Sequence, residues 1–184
     1  MHEAGQRERG GMIAVMGLDE ATLFEVCGQT GVCLANINCP EQLVISGTKE
    51  NLAKAAELAK SRGAYRTIPL AVSGAFHTPL MQLAVDGMAA VMAKLSFKQP
   101  AVSIVANTTA QPLNTVEEVK TELLNQLCSG IQWQRSVEYM IDEGVNTFIE
   151  IGPGKVLSGL IKRINRDVEI LNIGDASSVR GLVD

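Results

Sequence analysis

From Met12 to Val72 the sequence alternates short apolar runs with stretches patterned for helix, and this order restricts the fold more than any other feature. Met12 to Leu18 (MIAVMGL) is a strand-like run. Asp19 is placed to cap a helix reaching about Gln29, with Leu23, Phe24 and Val26 or Cys27 on its inner face. Val32 to Asn38 and Gln42 to Ser46 are two further strands joined by a turn at Cys39-Pro40. A helix starts at Thr48, keeps Leu52, Ala55, Ala56, Leu58 and Ala59 inward, and stops at Gly63. Tyr65 to Val72 adds a fourth strand. The order βαββαβ predicts a ferredoxin-like subdomain over 10–72.

Residues 73–184 form a second block in which strands alternate with helices. Thr78-Pro79 is a good helix start, with Met81, Ala84, Met88, Val91 or Met92, and Leu95 at helical spacing. A strand at 102–107, helices at about 115–128 and 134–143, a strand at 147–151, a helix at 155–165 and a strand at 168–173 follow. Such alternation predicts a parallel layer covered on both faces. Three strands are too few for a complete doubly wound sheet, so a larger α/β subdomain is expected only in part. Residues 176–184 read as a tail or an incomplete element.

Composition excludes several function classes. The 184 residues carry 16 basic and 20 acidic side chains, a net charge of −4, with no basic run, which disfavours nucleic acid as a partner. With 46% hydrophobic residues and a mean hydropathy of +0.14, a packed core is expected, but no apolar run approaches the ~20 residues that cross a bilayer. The charged start, Met1 to Arg9, lacks the apolar region of a signal peptide. Cys27, Cys33, Cys39 and Cys128 show no metal-ligand spacing, only two histidines are present, and no metal site is expected. Reduced thiols fit a cytoplasmic location.

No phosphate-binding glycine motif occurs. Gly152-Pro153-Gly154 lies between a strand and a helix and reads either as an anion site or, more simply, as a turn. His77 is the most informative residue: it follows a strand at a helix start, where α/β enzymes expose catalytic groups. It is either a general base or a surface or capping histidine. The nucleophile that such a base would serve is absent in its usual form. Ser46, Ser73, Ser129 and Ser158 each precede a glycine, yet none stands in a G-x-S-x-G elbow.

Several segments together resemble the malonyl-CoA:acyl carrier protein transacylases of fatty-acid synthesis. They are GGMIAVMGL (10–18), ANINCPEQLVISG (35–47), IPLAVSGAFHTPLM (68–81), SIVANTTAQPL (103–113) and the long run from Leu123 to Ile164. The resemblance implies a ferredoxin-like subdomain beside an α/β-hydrolase-like one. It also implies a ping-pong transfer in which a G-H-S-x-G serine takes malonyl from coenzyme A and passes it to the phosphopantetheine thiol of acyl carrier protein. His77 matches the family's base, Gln126 the residue whose carbonyl orients it, and Phe76 the position that disfavours an α-methyl group on the acyl chain. Asn36, Asn38 and Arg66 match the cleft that takes the pantetheine arm, although turn bonding by the asparagines and a solvated charge at Arg66 are the competing readings. No cofactor is implied, malonyl-CoA being a substrate.

The departures are as informative. The family's G-H-S-x-G serine, its oxyanion-hole loop and the arginine that grips the malonyl carboxylate have no counterpart among the 184 residues. The expectation is that this chain supplies the histidine-bearing half. The companion half would then be encoded upstream or come from a separate polypeptide. The alternative is an inactive remnant that binds coenzyme A or acyl carrier protein. A chain lacking neighbours for its strands is expected to expose an apolar face.

Overall fold

In the computed structural model, which describes residues 1–180, helix α1 (His2–Arg7) precedes strand β1 (Gly10–Met16). Asp19 caps α2 (Glu20–Thr30): its carboxylate accepts the Thr22 amide at 2.8 Å. Strands β2 (Cys33–Cys39) and β3 (Gln42–Thr48) lead into α3 (Lys49–Ser61), which Thr48 caps, and β4 (Arg66–Pro69) follows. The four strands form one sheet in the order β2-β3-β1-β4, every neighbouring pair antiparallel.

Side chains on a strand alternate between faces. Ile13, Val15, Leu43 and Ile45 therefore point one way, where Leu23, Val26 and Cys27 of α2 and Leu52, Ala55 and Ala59 of α3 close over them. Met12, Ala14, Ala35 and Val44 form a second cluster, against which Ile68, Leu70 and Phe76 pack. The inner stripe of α2 is narrower than its apolar content. Leu23, Val26 and Cys27 fill it, so Phe24, expected inward, is rotated out and stands 69% exposed.

Beyond β4, a 3-10 turn (Pro79–Met81) enters α4 (Gln82–Met92). Met81 is buried, and of the two alternatives Val91 and Met92 it is Met92 that turns inward, whereas Leu95, expected on the same stripe, is exposed. The strand expected at 102–107 shrinks to β5 (Ile104–Val105), paired antiparallel with β6 (Pro112–Leu113) instead of joining a parallel layer. The cause is local: Ala106 N–H donates to Gln111 O at 2.8 Å and Ala110 N–H to Ala106 O at 3.1 Å, which turns the chain back on itself. Helix α5 (Val116–Cys128) opens in a capping box between Thr115 and Glu118, and α6 (Trp133–Asp142) follows. Between them Ile131 lies along the edge strand: its N–H donates to Ala35 O and its carbonyl accepts from Ile37 N–H, both at 2.8 Å.

The described residues form two compact units, Met1–Ser136 and a second that begins at Val137. In the second, β7 (Thr147–Ile151) and β8 (Glu169–Ile173) pair in parallel, joined through α7 (Val156–Ile164) as a βαβ crossover. Of the expected tail at 176–184, residues Ala176–Arg180 form a short helix, α8, and the last four lie outside the described residues. One side of β7 is open, with Ile149 51% and Ile151 78% exposed, beside Val156 at 73%. Among the described residues, the cover expected on both faces is thus missing from one. No helix among the described residues is long and apolar enough to cross a membrane.

Two predictions follow from packing. A methyl group added at Gly130 would meet the Leu34 carbonyl oxygen at 2.5 Å, and backbone cannot swing aside as a side chain can. Gly130→Ala is expected to lower stability by about 1–3 kcal/mol, read as a fall in the urea midpoint. An open apolar strand face favours self-association. Sedimentation velocity should show mass rising with concentration, and Ile151→Lys should reverse it; a wild-type chain that stays monomeric throughout would contradict this.

Candidate functional site

The segment carrying His77 is held at its start by close approach to its neighbours. A Cβ on Gly74 would come within 3.0 Å of Gly5 Cα, and one on Gly10 within 2.6 Å of Ala75 Cβ, so the segment is seated against α1 and the start of β1. Thr78, fully buried, closes a tight turn by donating its hydroxyl to Ala75 O at 2.7 Å and accepting Leu80 N–H at 3.2 Å. The turn sets His77 at φ +60°, a left-handed conformation unusual for a residue with a side chain. Phe76 turns onto the sheet and packs with the Met12, Ala14, Ala35 and Val44 cluster.

His77, half-buried, donates from Nδ1 to the Gln126 carbonyl oxygen at 2.6 Å. A carbonyl can only accept, so Nδ1 carries the hydrogen and Nε2 of the neutral ring keeps its lone pair. Burial lowers the imidazole's pKa below its ordinary value, and the bond to Gln126 opposes this only in part. The ring is therefore neutral near pH 7, with a basic nitrogen available to a donor.

The register places other candidates on the same sheet face. Asn36 pairs with Val44, which pairs with Ala14, which pairs with Ile68, so these four side chains form one row on the face where Phe76 lies. Arg66 pairs with Met16 on that face and is exposed. Asn38 sits at the irregularity between Ile37 and Cys39. Asn36 and the β4 side chains stand roughly 14 Å apart, three strand spacings, which suits flanking an extended ligand better than gripping one group.

The remaining candidates separate from this site. Burial pushes the Cys27 thiol up to about 11 and also raises Cys33 and Cys128, the opposite of what a reactive thiolate needs. All four cysteines are unbridged. No group of three or more His, Cys, Asp or Glu among the described residues is placed to hold a metal ion. At Gly152-Pro153-Gly154 both glycines have positive φ, as a turn requires. Two of the amides that open α7 are already taken: Glu150 accepts Leu157 N–H at 3.1 Å and Ser158 N–H at 2.8 Å. This fits the turn reading, with the helix capped by a carboxylate of the strand before it.

Sequence reasoning missed a second group around α5. Asn107 donates to the Gln126 side chain at 2.9 Å, and Thr108 donates its N–H at 2.9 Å and its hydroxyl at 2.5 Å to Glu122, which is only 8% exposed. The available signal was a carboxylate and an amide one helical turn apart, at 122 and 126.

The geometry yields a titration test. Because the folded state depresses the imidazole pKa, its neutral form contributes stability that is present above about pH 6.5 and lost as pH falls through the folded-state midpoint. NMR titration should give a His77 midpoint below 6.5, and the urea midpoint should fall less between about pH 7 and 5 in His77→Asn than in wild type. A His77 midpoint above 6.5 would overturn the assignment of burial as the dominant effect.

Residues 3–179 match the family model described as acyl transferase domain. The chain is 41% identical over 184 residues to the malonyl CoA-acyl carrier protein transacylase of Bacillus subtilis (strain 168), covering 97% of itself and 58% of that protein. It thus spans under two thirds of the length of such curated relatives. Among solved structures, MCAT from Streptococcus pneumoniae superposes with a TM-score of 0.93 at 35% identity, over 100% of this chain and 61% of that one. A malonyl-transacylase solved in complex with a type II PKS acyl-carrier protein superposes at 0.90 and 33% identity, over 97% and 60%.

Proposed function

The chain belongs to the acyl transferase domain family, and on that premise we propose that it supplies the histidine-bearing half of a malonyl transfer from malonyl-CoA to the phosphopantetheine thiol of acyl carrier protein. The observation that carries this reading is the 2.6 Å bond from His77 Nδ1 to the Gln126 carbonyl. It leaves Nε2 as the base while a carbonyl, rather than a carboxylate, holds the ring. His77 Nε2 takes the proton of a serine hydroxyl as that oxygen attacks the malonyl thioester carbonyl. The C–S bond then breaks, and the same proton passes to the departing coenzyme A sulfur. In the second half-reaction His77 takes the pantetheine thiol proton as the sulfur attacks the malonyl ester, and returns it to the serine oxygen.

Around this centre Gln126 orients the base, and Phe76, anchored in the sheet cluster, crowds the acyl α-carbon. Asn36, Asn38 and Arg66 flank the pantetheine arm along the sheet. The antiparallel order β2-β3-β1-β4 with two helices on one face supports a ferredoxin-like subdomain over 10–72, and the βαβ crossover of β7, α7 and β8 supports reading 73–184 as a portion of an α/β-hydrolase-like subdomain. The reaction needs no metal or organic cofactor, and its setting is the cytoplasm. The partners are malonyl-CoA, acyl carrier protein and a serine- and arginine-bearing segment, whether joined to this chain or separate; neither nucleic acid nor a membrane is involved.

The alternative reading is an inactive module that binds coenzyme A or acyl carrier protein. One experiment separates the two. The chain alone should form no malonyl adduct with malonyl-CoA by intact-mass analysis. Mixed with, or fused behind, the N-terminal remainder of the Bacillus subtilis relative, it should transfer malonyl to acyl carrier protein, and His77→Gln should cut the rate roughly 10²–10⁴-fold. Folded complexes that bind both partners but transfer nothing would favour the module.

A further inference from the structure

We propose that Asn107 and Glu122 are positioning residues for His77, acting through the last turn of α5; this rests on the reading of His77 as the base. The carbonyl that holds the imidazole belongs to Gln126, two residues before the end of α5 at Cys128. Carbonyls in a last helical turn have no amide partner inside the helix, and such turns fray unless something holds them. The direction of the Gln126 carbonyl therefore depends on what fixes this turn from outside.

The loop at Asn107 and Thr108 does so at three points. Asn107 Nδ2 donates to Gln126 Oε1 at 2.9 Å, so the residue whose main chain orients His77 is itself gripped by its side chain. One turn earlier, Glu122 receives both Thr108 donors, N–H at 2.9 Å and Oγ1 at 2.5 Å. Beyond the helix, the Asn107 carbonyl accepts Gln132 N–H at 2.7 Å. The loop thus spans the C-terminal end of α5 and ties both sides of the Gln126 carbonyl to one rigid turn.

Glu122 is 8% exposed. A carboxylate buried to that degree is unfavourable without partners, and Thr108 supplies two in a fork that fits one loop position. A side chain needed only to fill space there would be apolar. The carboxylate instead fixes where Thr108 lies, hence where Asn107 reaches, hence how Gln126 is held. The outcome of the chain is a choice of tautomer at His77: Nδ1–H while the carbonyl faces it, Nε2–H once the carbonyl turns away. Only the first keeps a lone pair on Nε2.

The test reads that tautomer directly in the full 184-residue chain, without substrate. Imidazole ¹⁵N shifts distinguish the two forms, and His2→Asn removes the one other histidine from the spectrum. In that background the wild-type site should show Nδ1–H at His77. Asn107→Ala and Glu122→Ala should each lower the ratio of Nδ1–H to Nε2–H roughly tenfold, about 1.4 kcal/mol. Glu122→Gln, which keeps an acceptor for Thr108 N–H, should stay within about twofold of wild type. Thr108→Val, a smaller change, stands in if Glu122→Ala fails to fold, and should lower the ratio several-fold. An unchanged ratio in folded Asn107→Ala and in the Glu122→Ala or Thr108→Val chain would overturn the proposal and leave these residues a purely structural loop anchor. A chain that holds the Nδ1–H tautomer yet transfers no malonyl when joined to a serine-bearing segment would instead defeat the functional reading and leave the positioning intact.

Discussion

Ile131 exchanges two main-chain hydrogen bonds with the edge strand, one with Ala35 and one with Ile37, and the geometry of the site depends on that single residue of strand-like pairing. It follows Gln126 by five residues, so it fixes the exit of α5 relative to the sheet. Gly130 makes the approach feasible, because its missing side chain lets the backbone lie against the Leu34 carbonyl. An unpaired edge strand exposes donors and acceptors that must find partners. Here the edge finds one in the segment that ends the helix holding His77, so satisfying the sheet and placing the His77 imidazole are one event.

The sheet has two jobs that its alternation separates. One face buries Ile13, Val15, Leu43 and Ile45 under α2 and α3, which is a self-sufficient core. The other keeps smaller or polar side chains, Ala14, Ala35 and Asn36 among them, and accepts Phe76 from the His77 turn. Small residues on that face leave room for a neighbouring segment to approach closely. The left-handed φ of His77 is the local cost of turning Phe76 into the cluster while aiming the next side chain at α5, and buried Thr78 holds the turn against it.

The sequence made the first sheet legible because three signals agreed there: alternating runs, the Asp19 and Thr48 caps, and the glycine that stops α3. The turn that carries His77 was equally legible, since the strand before it and the Thr-Pro cap after it are local. What was not legible depends on contacts distant in sequence. Phe24 reads as inward from its own character and is displaced by Leu23, Val26 and Cys27, which already fill the stripe. The 102–107 strand was overestimated because apolar character cannot reveal that Ala106 bonds forward to Gln111. Asn107 and Thr108 lie in a segment that carries the family resemblance but assigns them no part, Glu122 lies in none, and their contacts arise only when residues fourteen and nineteen positions apart meet. The helix at His2–Arg7 was unforeseen for a similar reason: its buried Gly5 gains its meaning from Ser73 and Gly74.

Two effects compete at His77, and the balance between them defines what the site can do. Burial removes the ring from water and penalises its charged form. The Gln126 carbonyl at a helix C-terminus favours the charged form, both as an acceptor and as the negative end of the helix dipole. Were the carbonyl dominant, the ring would be protonated near neutrality and Nε2 would have no lone pair to offer. Burial wins, so the ring stays neutral and the bond to Gln126 acts mainly as a selector of orientation and tautomer. A carboxylate in the place of Gln126 would raise the pKa further by its full charge. A carbonyl aims the imidazole without charging it, which is the arrangement a base working near neutral pH requires.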